Sequence, residues 1–205
     1  MSENCQYSIR LINRLKELDQ AKQIDYAQVE KAIYWAKKYH ADQKRKSGEP
    51  YYTHPLEVAY MVAEYNLKTD VIVAAILHDI VEDTEVTFGM ILDNFNERIK
   101  QMVDRLTRDR PDGTKWSIKQ VLNIAYLADD TEVLLIKIID RIHNLQTMQV
   151  FTKHKAVLFS RETVEEMILA AMYIENQTLV KILYRFSLQE LGTFEEQVFS
   201  HIKLH

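Results

Sequence analysis

Apolar residues recur every three or four positions along most of the chain, the spacing of one buried helical face. Ile9, Ile12, Leu15 and Leu18 predict a first helix over Ser8 to Leu18. Asp25 is placed as the N-cap of a longer helix from Tyr26 to about Lys46, with Val29, Ile33, Ala36 and His40 on its inner stripe. Ser47-Gly48-Glu49-Pro50 stops it, because Gly tolerates positive φ and Pro cannot continue the ladder. Pro55 suits the first turn of a third helix reaching Tyr65, which puts His54 at its N-terminal edge. Thr69 or Asp70 then caps Val71 to Leu77, apolar on every face as the central helix of a bundle is.

Thr87 opens a short helix to about Phe95, and Glu97 to Thr107 forms another. Arg108 to Thr114 gathers Pro, Asp and Gly and reads as a loop. Ser117 to Leu127 and Thr131 to Met148 follow as helices, the second with Thr131 as candidate cap, and the patterns over Lys155 to Tyr173 and Gln177 to His205 are again helical. The expected fold is an all-α bundle of roughly eight to eleven helices. It is read as a single domain over residues 1–205, with a core at about 26–175 and C-terminal helices 177–205 packed on it.

Composition removes several classes of function. The chain of 205 residues holds only 4 Gly and 3 Pro, too few for a sandwich or barrel and too few for a glycine-rich phosphate loop, so Walker or Rossmann nucleotide binding is excluded. Cys5, the lone cysteine, excludes a disulfide framework and a thiolate zinc cluster and suits a reducing cytosol. No apolar run reaches 18 residues and charges punctuate the first 20, so neither a membrane span nor a secretory signal is expected. A net charge of −4 makes nonspecific nucleic-acid binding unfavourable. A chain this long does not need an oligomer to be stable, though a homo-oligomer stays open. The expectation is a soluble, cytoplasmic helical protein acting on a small molecule, with no nucleic acid and no membrane.

Misplaced polarity carries the chemical information. Directly after the apolar run come His78-Asp79-Ile80-Val81-Glu82-Asp83, one imidazole and three carboxylates within two helical turns. Burying them is costly without a compensating cation, which a divalent metal would supply. His54 in YYTHP has ligand chemistry too, and Asp140 follows the apolar run Val133 to Ile136 as an inward-pointing acid. Singly, each is an ordinary helix end, cap or ion pair. Their joint occurrence in order is not.

That order, His54, then His78-Asp79, then Asp140, resembles the HD-domain metal-dependent phosphohydrolases. RKSGEPYYTHPLEVA (45–59), AAILHDIVEDT (74–84) and LLIKIIDRIHNLQTM (134–148) are similar to the hydrolase domain of the RelA/SpoT alarmone enzymes. The similarity covers roughly residues 26–175. With no synthetase or regulatory segment following, the expected comparison is with the stand-alone small alarmone hydrolases. The resemblance implies an HD-type helical bundle that removes the 3′-pyrophosphate of ppGpp and pppGpp to give GDP or GTP, a step in the stringent response. It implies one Mn²⁺, other transition metals being acceptable, held by His54, His78, Asp79 and Asp140. Glu82 and Asp83 then match the acidic pair that handles the nucleophilic water. Arg45, Lys46 and Ser47 match the loop beside the guanine base, and Asn144 and Thr147 match nucleotide contacts.

The residue chemistry agrees. Two imidazoles and two carboxylates suit Mn²⁺, Fe²⁺, Co²⁺ or Zn²⁺ better than a thiolate-seeking metal. The planar guanidinium of Arg45 can stack on a purine, as Lys cannot. Two alternatives stay in play: an HD phosphohydrolase of another phosphorylated nucleotide, such as an NADPH 2′-phosphatase, and a catalytically silent module that binds alarmone or a partner. The acidic pair at Glu82-Asp83 argues against the silent module.

Overall fold

The computed structural model describes residues 5–110, 112–148 and 152–188, and among these the regular structure is helical. The order is α1 (Gln6–Leu18), α2 (Tyr26–Tyr39), α3 (Thr53–Val62), α4 (Thr69–Leu77), α5 (Ile80–Asp83), α6 (Phe88–Asn94), α7 (Glu97–Leu106), α8 (Ile118–Leu127), α9 (Thr131–Gln146) and α10 (Lys153–Glu162). A π-helical turn (Thr163–Met167) leads into α11 (Ile168–Tyr173), and residues 177–188 are helical again. Among the described residues, extended pairing is confined to two isolated bridges, Lys44 with Pro50 and Asp109 with Lys115. The part of the last expected helix beyond residue 188 lies outside the described residues.

The chain forms two compact units, Met1–Ile139 and Asp140–His205. The division falls inside α9, which is one uninterrupted helix. In the first unit α4 packs against α2, α3 and α7. Every residue from Val71 to Leu77 is buried there, the environment that its unbroken apolar run demands. Val29, Ile33, Ala36 and His40 of the α2 stripe are buried too. In the second unit α10 and α11 pack on the π-helical turn, where the buried Arg141 lies 3.9 Å over the Phe159 ring and pairs with Glu162.

Side-chain caps decide most helix starts. The carboxylate of Asp25 accepts from the Gln28 N–H, Thr87 from Met90, Asn96 from Ile99, and Ser117 forms a reciprocal capping box with Gln120. Three expectations are corrected. The second helix ends at Tyr39 and not near Lys46, because residues 43–51 fold into a tight turn of their own. The Arg45 N–H bonds the Glu49 carbonyl at 2.8 Å, Tyr51 N–H bonds Gln43 at 2.9 Å, and Gly48 takes φ +91° at the tip. Neither Thr69 nor Asp70 caps α4: Lys68 is the N-cap residue, and the Thr69 hydroxyl accepts instead from the Asp25 N–H. The cap of α9 is Asp130, not Thr131, since Asp130 Oδ1 accepts from the Val133 N–H at 3.2 Å.

Asp130 also accepts two 2.7 Å hydrogen bonds from Arg98 and pairs with Arg105. Burial alone would raise its pKa, but the two guanidinium groups and the Val133 N–H outweigh it and hold the carboxyl below its ordinary range. A depressed folded-state pKa means that this stabilisation is present at neutral pH and is lost as pH falls through the folded value. Asp130→Ala removes the acid that Arg105 pairs with, leaves Arg98 with Glu132 alone and uncaps α9. Because Arg98 and Arg105 keep about a third of their surface in water, the expected cost is about 3 kcal/mol, the low end for a broken buried pair. Urea unfolding at pH 7 measures it, and the gap to wild type should narrow in acid.

Candidate metal centre

Three elements bring the ligand-type side chains of the first unit together. His54 sits in the first turn of α3, buried to 4% exposure, beside Pro55 of the same turn, and the Thr53 hydroxyl bonds the Pro50 carbonyl. His78 ends α4 with its side chain fully buried, and Asp79 leads into α5. On a continuous helix the side chains of neighbouring residues diverge by about 100°. The helix breaks between α4 and α5, with Asp79 at φ −102° and ψ −3°, and the two side chains converge. Asp79 Oδ2 lies 3.1 Å from His78 Nε2 and 3.6 Å from His54 Nε2, and the imidazole rings are 5.2 Å apart.

Asp140 comes from α9, four residues after the apolar run 133–136 and on the same unbroken helix. Within the first unit, one ligand atom of His54 and one of His78 lie within 4.8 Å of each other. Asn144, one turn on, donates to Asp140 Oδ1 at 2.6 Å. That contact engages the amide with the acid and orients it. The Thr147 hydroxyl donates to the His143 carbonyl at 3.0 Å.

The tautomer of His78 is decided by its backbone contact. Its Nδ1 lies 2.8 Å from the Ala75 carbonyl, which can only accept, so Nδ1 carries the proton and Nε2 is turned toward Asp79 Oδ2. A nitrogen lone pair and a carboxylate oxygen facing each other at 3.1 Å, out of water, require a proton or a cation between them. The donor set therefore fits a divalent ion of borderline hardness.

The two acids of α5 stand one turn beyond. Glu82 is half buried and accepts from the Arg108 N–H just beyond α7. Burial pushes its pKa up, against the Arg108 hydrogen bond and the Lys137 charge, and Asp79 pushes the same way as burial. Asp83 is more exposed by area but crowded by protein. Desolvation and then the Asp79 charge raise it, while Tyr51 and the nearby imidazoles oppose them. Arg45, Lys46 and Ser47 occupy the 43–51 turn, with Ser47 and Lys46 exposed and Arg45 half buried. The Ser47 hydroxyl donates to Glu49 Oε2 at 3.3 Å.

Three residues at the site had not been singled out. Tyr51 donates its hydroxyl to Asp79 Oδ2 at 2.8 Å. A loop aromatic follows no period, so nothing in the pattern marks it. Gln43 bridges the His40 ring and the Asp83 carbonyl, and it too lies in the turn. Lys137, 8% exposed, faces Glu82 from α9, three residues before Asp140. It interrupts the same apolar run that exposed Asp140, so that signal was available.

A family model described as an HD domain matches residues 32–165. The chain belongs to the HD-domain family. This HD domain is 38% identical over 142 residues to a guanosine-3′,5′-bis(diphosphate) 3′-pyrophosphohydrolase of Aquifex aeolicus (strain VF5), covering 67% of this chain and 20% of that protein. It is 36% identical over 141 residues to a GTP pyrophosphokinase of Streptomyces coelicolor, covering 67% and 17%. A solved structure described as a metazoan ortholog of SpoT that hydrolyzes ppGpp superposes with a TM-score of 0.67 at 23% identity, over 81% of this chain and 96% of that one. The HD domain thus spans about a fifth of the length of the curated relatives it matches. Among the described residues no helix is long and apolar enough to cross a membrane.

Proposed function

We propose that this HD domain is a metal-dependent hydrolase that removes the 3′-pyrophosphate of ppGpp or pppGpp, leaving GDP or GTP. The observation that carries the reading is the convergence of His54, His78 and Asp79 in the first unit, with two acids one turn away. The Aquifex relative named for this hydrolysis supports the substrate class. His54, His78, Asp79 and Asp140 would hold one divalent ion, Mn²⁺ by preference. When bound, it supplies positive charge that offsets the pyrophosphate and polarises the phosphorus under attack.

The remaining work falls to the chain. Glu82 or Asp83 accepts a proton from the attacking water, and their raised pKa values make them stronger bases than ordinary carboxylates. Water oxygen bonds to the phosphorus on O3′, the P–O3′ bond breaks, and O3′ takes up a proton as pyrophosphate departs. Lys137 balances the charge of Glu82, and Asn144 holds Asp140. Arg45, Lys46 and Ser47 receive the guanine base and Thr147 lines the nucleotide side. We read residues 1–205 as one domain in the cytoplasm: both α9 and the family match run across the boundary at 139 and 140.

The test separates the products of ppGpp incubated with Mn²⁺ by anion-exchange chromatography. GDP and pyrophosphate are expected. Orthophosphate, or inertness toward ppGpp beside rapid dephosphorylation of NADPH, overturns the reading. Arg45→Ala is expected to raise KM more than it lowers kcat, because stacking on the base binds ground state and transition state alike. Steady-state kinetics over a range of ppGpp concentrations checks this.

A further inference from the structure

Tyr51 stands between the end of α2, the start of α3 and the α4–α5 junction. Its ring lies 4.8 Å from the His40 ring and 6.1 Å from the His54 ring. Its hydroxyl donates to Asp79 Oδ2 at 2.8 Å, the same oxygen that lies 3.1 Å from His78 Nε2 and 3.6 Å from His54 Nε2. We infer that Tyr51 is a positioning residue that holds the Asp79 carboxylate toward the two imidazoles and so sets the affinity of the site for its divalent ion. The inference rests on the metal-dependent reading given above.

An aspartate at a helix break has two torsions to lose. Asp79 is followed by the short α5 and is itself only half buried, so packing alone does not select its rotamer. The phenol does, because a charged acceptor makes the O–H···O⁻ bond strong. The ring has little freedom of its own. Tyr51 N–H is bonded to the Gln43 carbonyl at 2.9 Å, and the Gln43 side chain is oriented from both ends. Its Nε2 donates to the Asp83 carbonyl, so its Oε1 accepts from His40 Nδ1 at 2.8 Å. Thus the 43–51 turn, which carries Arg45 to Ser47, is fastened both to the end of α5 and to Asp79. A hydrogen-bonding partner of a metal ligand is typically worth 10- to 100-fold in metal affinity or activity.

The experiment titrates Mn²⁺ alone into metal-free protein and follows the electron paramagnetic resonance of unbound Mn²⁺, with thermal melting of the same samples. Tyr51→Phe keeps the ring between His40 and His54 and removes only the donor; Tyr51→Leu removes both. Mn²⁺ affinity about 10- to 100-fold weaker in Tyr51→Phe, with its melting transition preserved and no further loss in Tyr51→Leu, supports the proposal. Wild-type affinity in Tyr51→Phe overturns it, as does a loss confined to Tyr51→Leu, which would make the ring a packing element. If wild-type protein takes up no Mn²⁺, the metal-dependent reading falls and this inference with it, an outcome distinct from the other two.

Discussion

His78→Ala and Asp140→Ala are each expected to lose both the divalent ion and turnover. His78 Nε2 faces Asp79 Oδ2 at 3.1 Å with Nδ1 committed to the Ala75 carbonyl, and Asp140 is the second carboxylate of the proposed ligand set. Removing either leaves the remaining ligands too few and, in the case of Asp140, removes charge that the ion requires. Elemental analysis of purified protein is expected to find one equivalent of metal in wild type and a small fraction of that in either variant. Stability reports the same loss independently. With unbound Mn²⁺ about 100-fold above its dissociation constant, binding adds about 2.7 kcal/mol to the wild-type fold. The His78→Ala protein should gain nothing measurable. Stoichiometric metal in Asp140→Ala would remove that residue from the ligand set.

Glu82→Gln is expected to leave metal content and KM near wild type while lowering kcat by about 10²- to 10⁴-fold, the usual range for a lost general base. The fold should tolerate it, because an amide oxygen can still accept the Arg108 N–H that Glu82 accepts. The pH profile separates a base from a spectator. Burial and the Asp79 charge raise the Glu82 pKa, and the base works only when deprotonated. Activity should therefore fall as pH drops through a value above the ordinary carboxylate range. In Glu82→Gln the residual activity should lose that acid limb. Unchanged kcat with a raised KM would assign Glu82 to substrate binding.

Most of the fold could be read along the chain because burial writes a period into it. The all-round apolar stretch Val71 to Leu77 became the central α4, and the stripe Val29, Ile33, Ala36, His40 became the inner face of α2. Caps at Asp25, Thr87 and Ser117 were legible for a local reason: a side-chain oxygen meets an N–H two or three residues on. The end of α2 was less legible. Residues 40–46 have acceptable helix propensity, and the 43–51 turn wins through bonds to Asp83 and Tyr51 that have no sequence period.

The residues of the candidate site divide the same way. An acid or imidazole interrupting an apolar run is visible without coordinates, since burial without compensation is expensive. His78, Asp79 and Asp140 follow apolar runs and stood out so, Lys137 could have, and His54 in YYTHP joined them through the resemblance to the HD family. What the sequence by itself determined was this inventory of ligand-type and acidic groups, and the helices that bury them. Tertiary structure decided their convergence. The break between α4 and α5 lets neighbouring His78 and Asp79 point together, where an intact helix would part them. It also decided the supporting contacts: Tyr51 on Asp79, Arg108 on Glu82 and Asn144 on Asp140. Of these only the Asn144 contact, at i and i+4 on α9, is spaced by the helix itself. The others join residues 26 to 28 positions apart, and a hydrogen bond across that distance leaves no periodic trace in the chain.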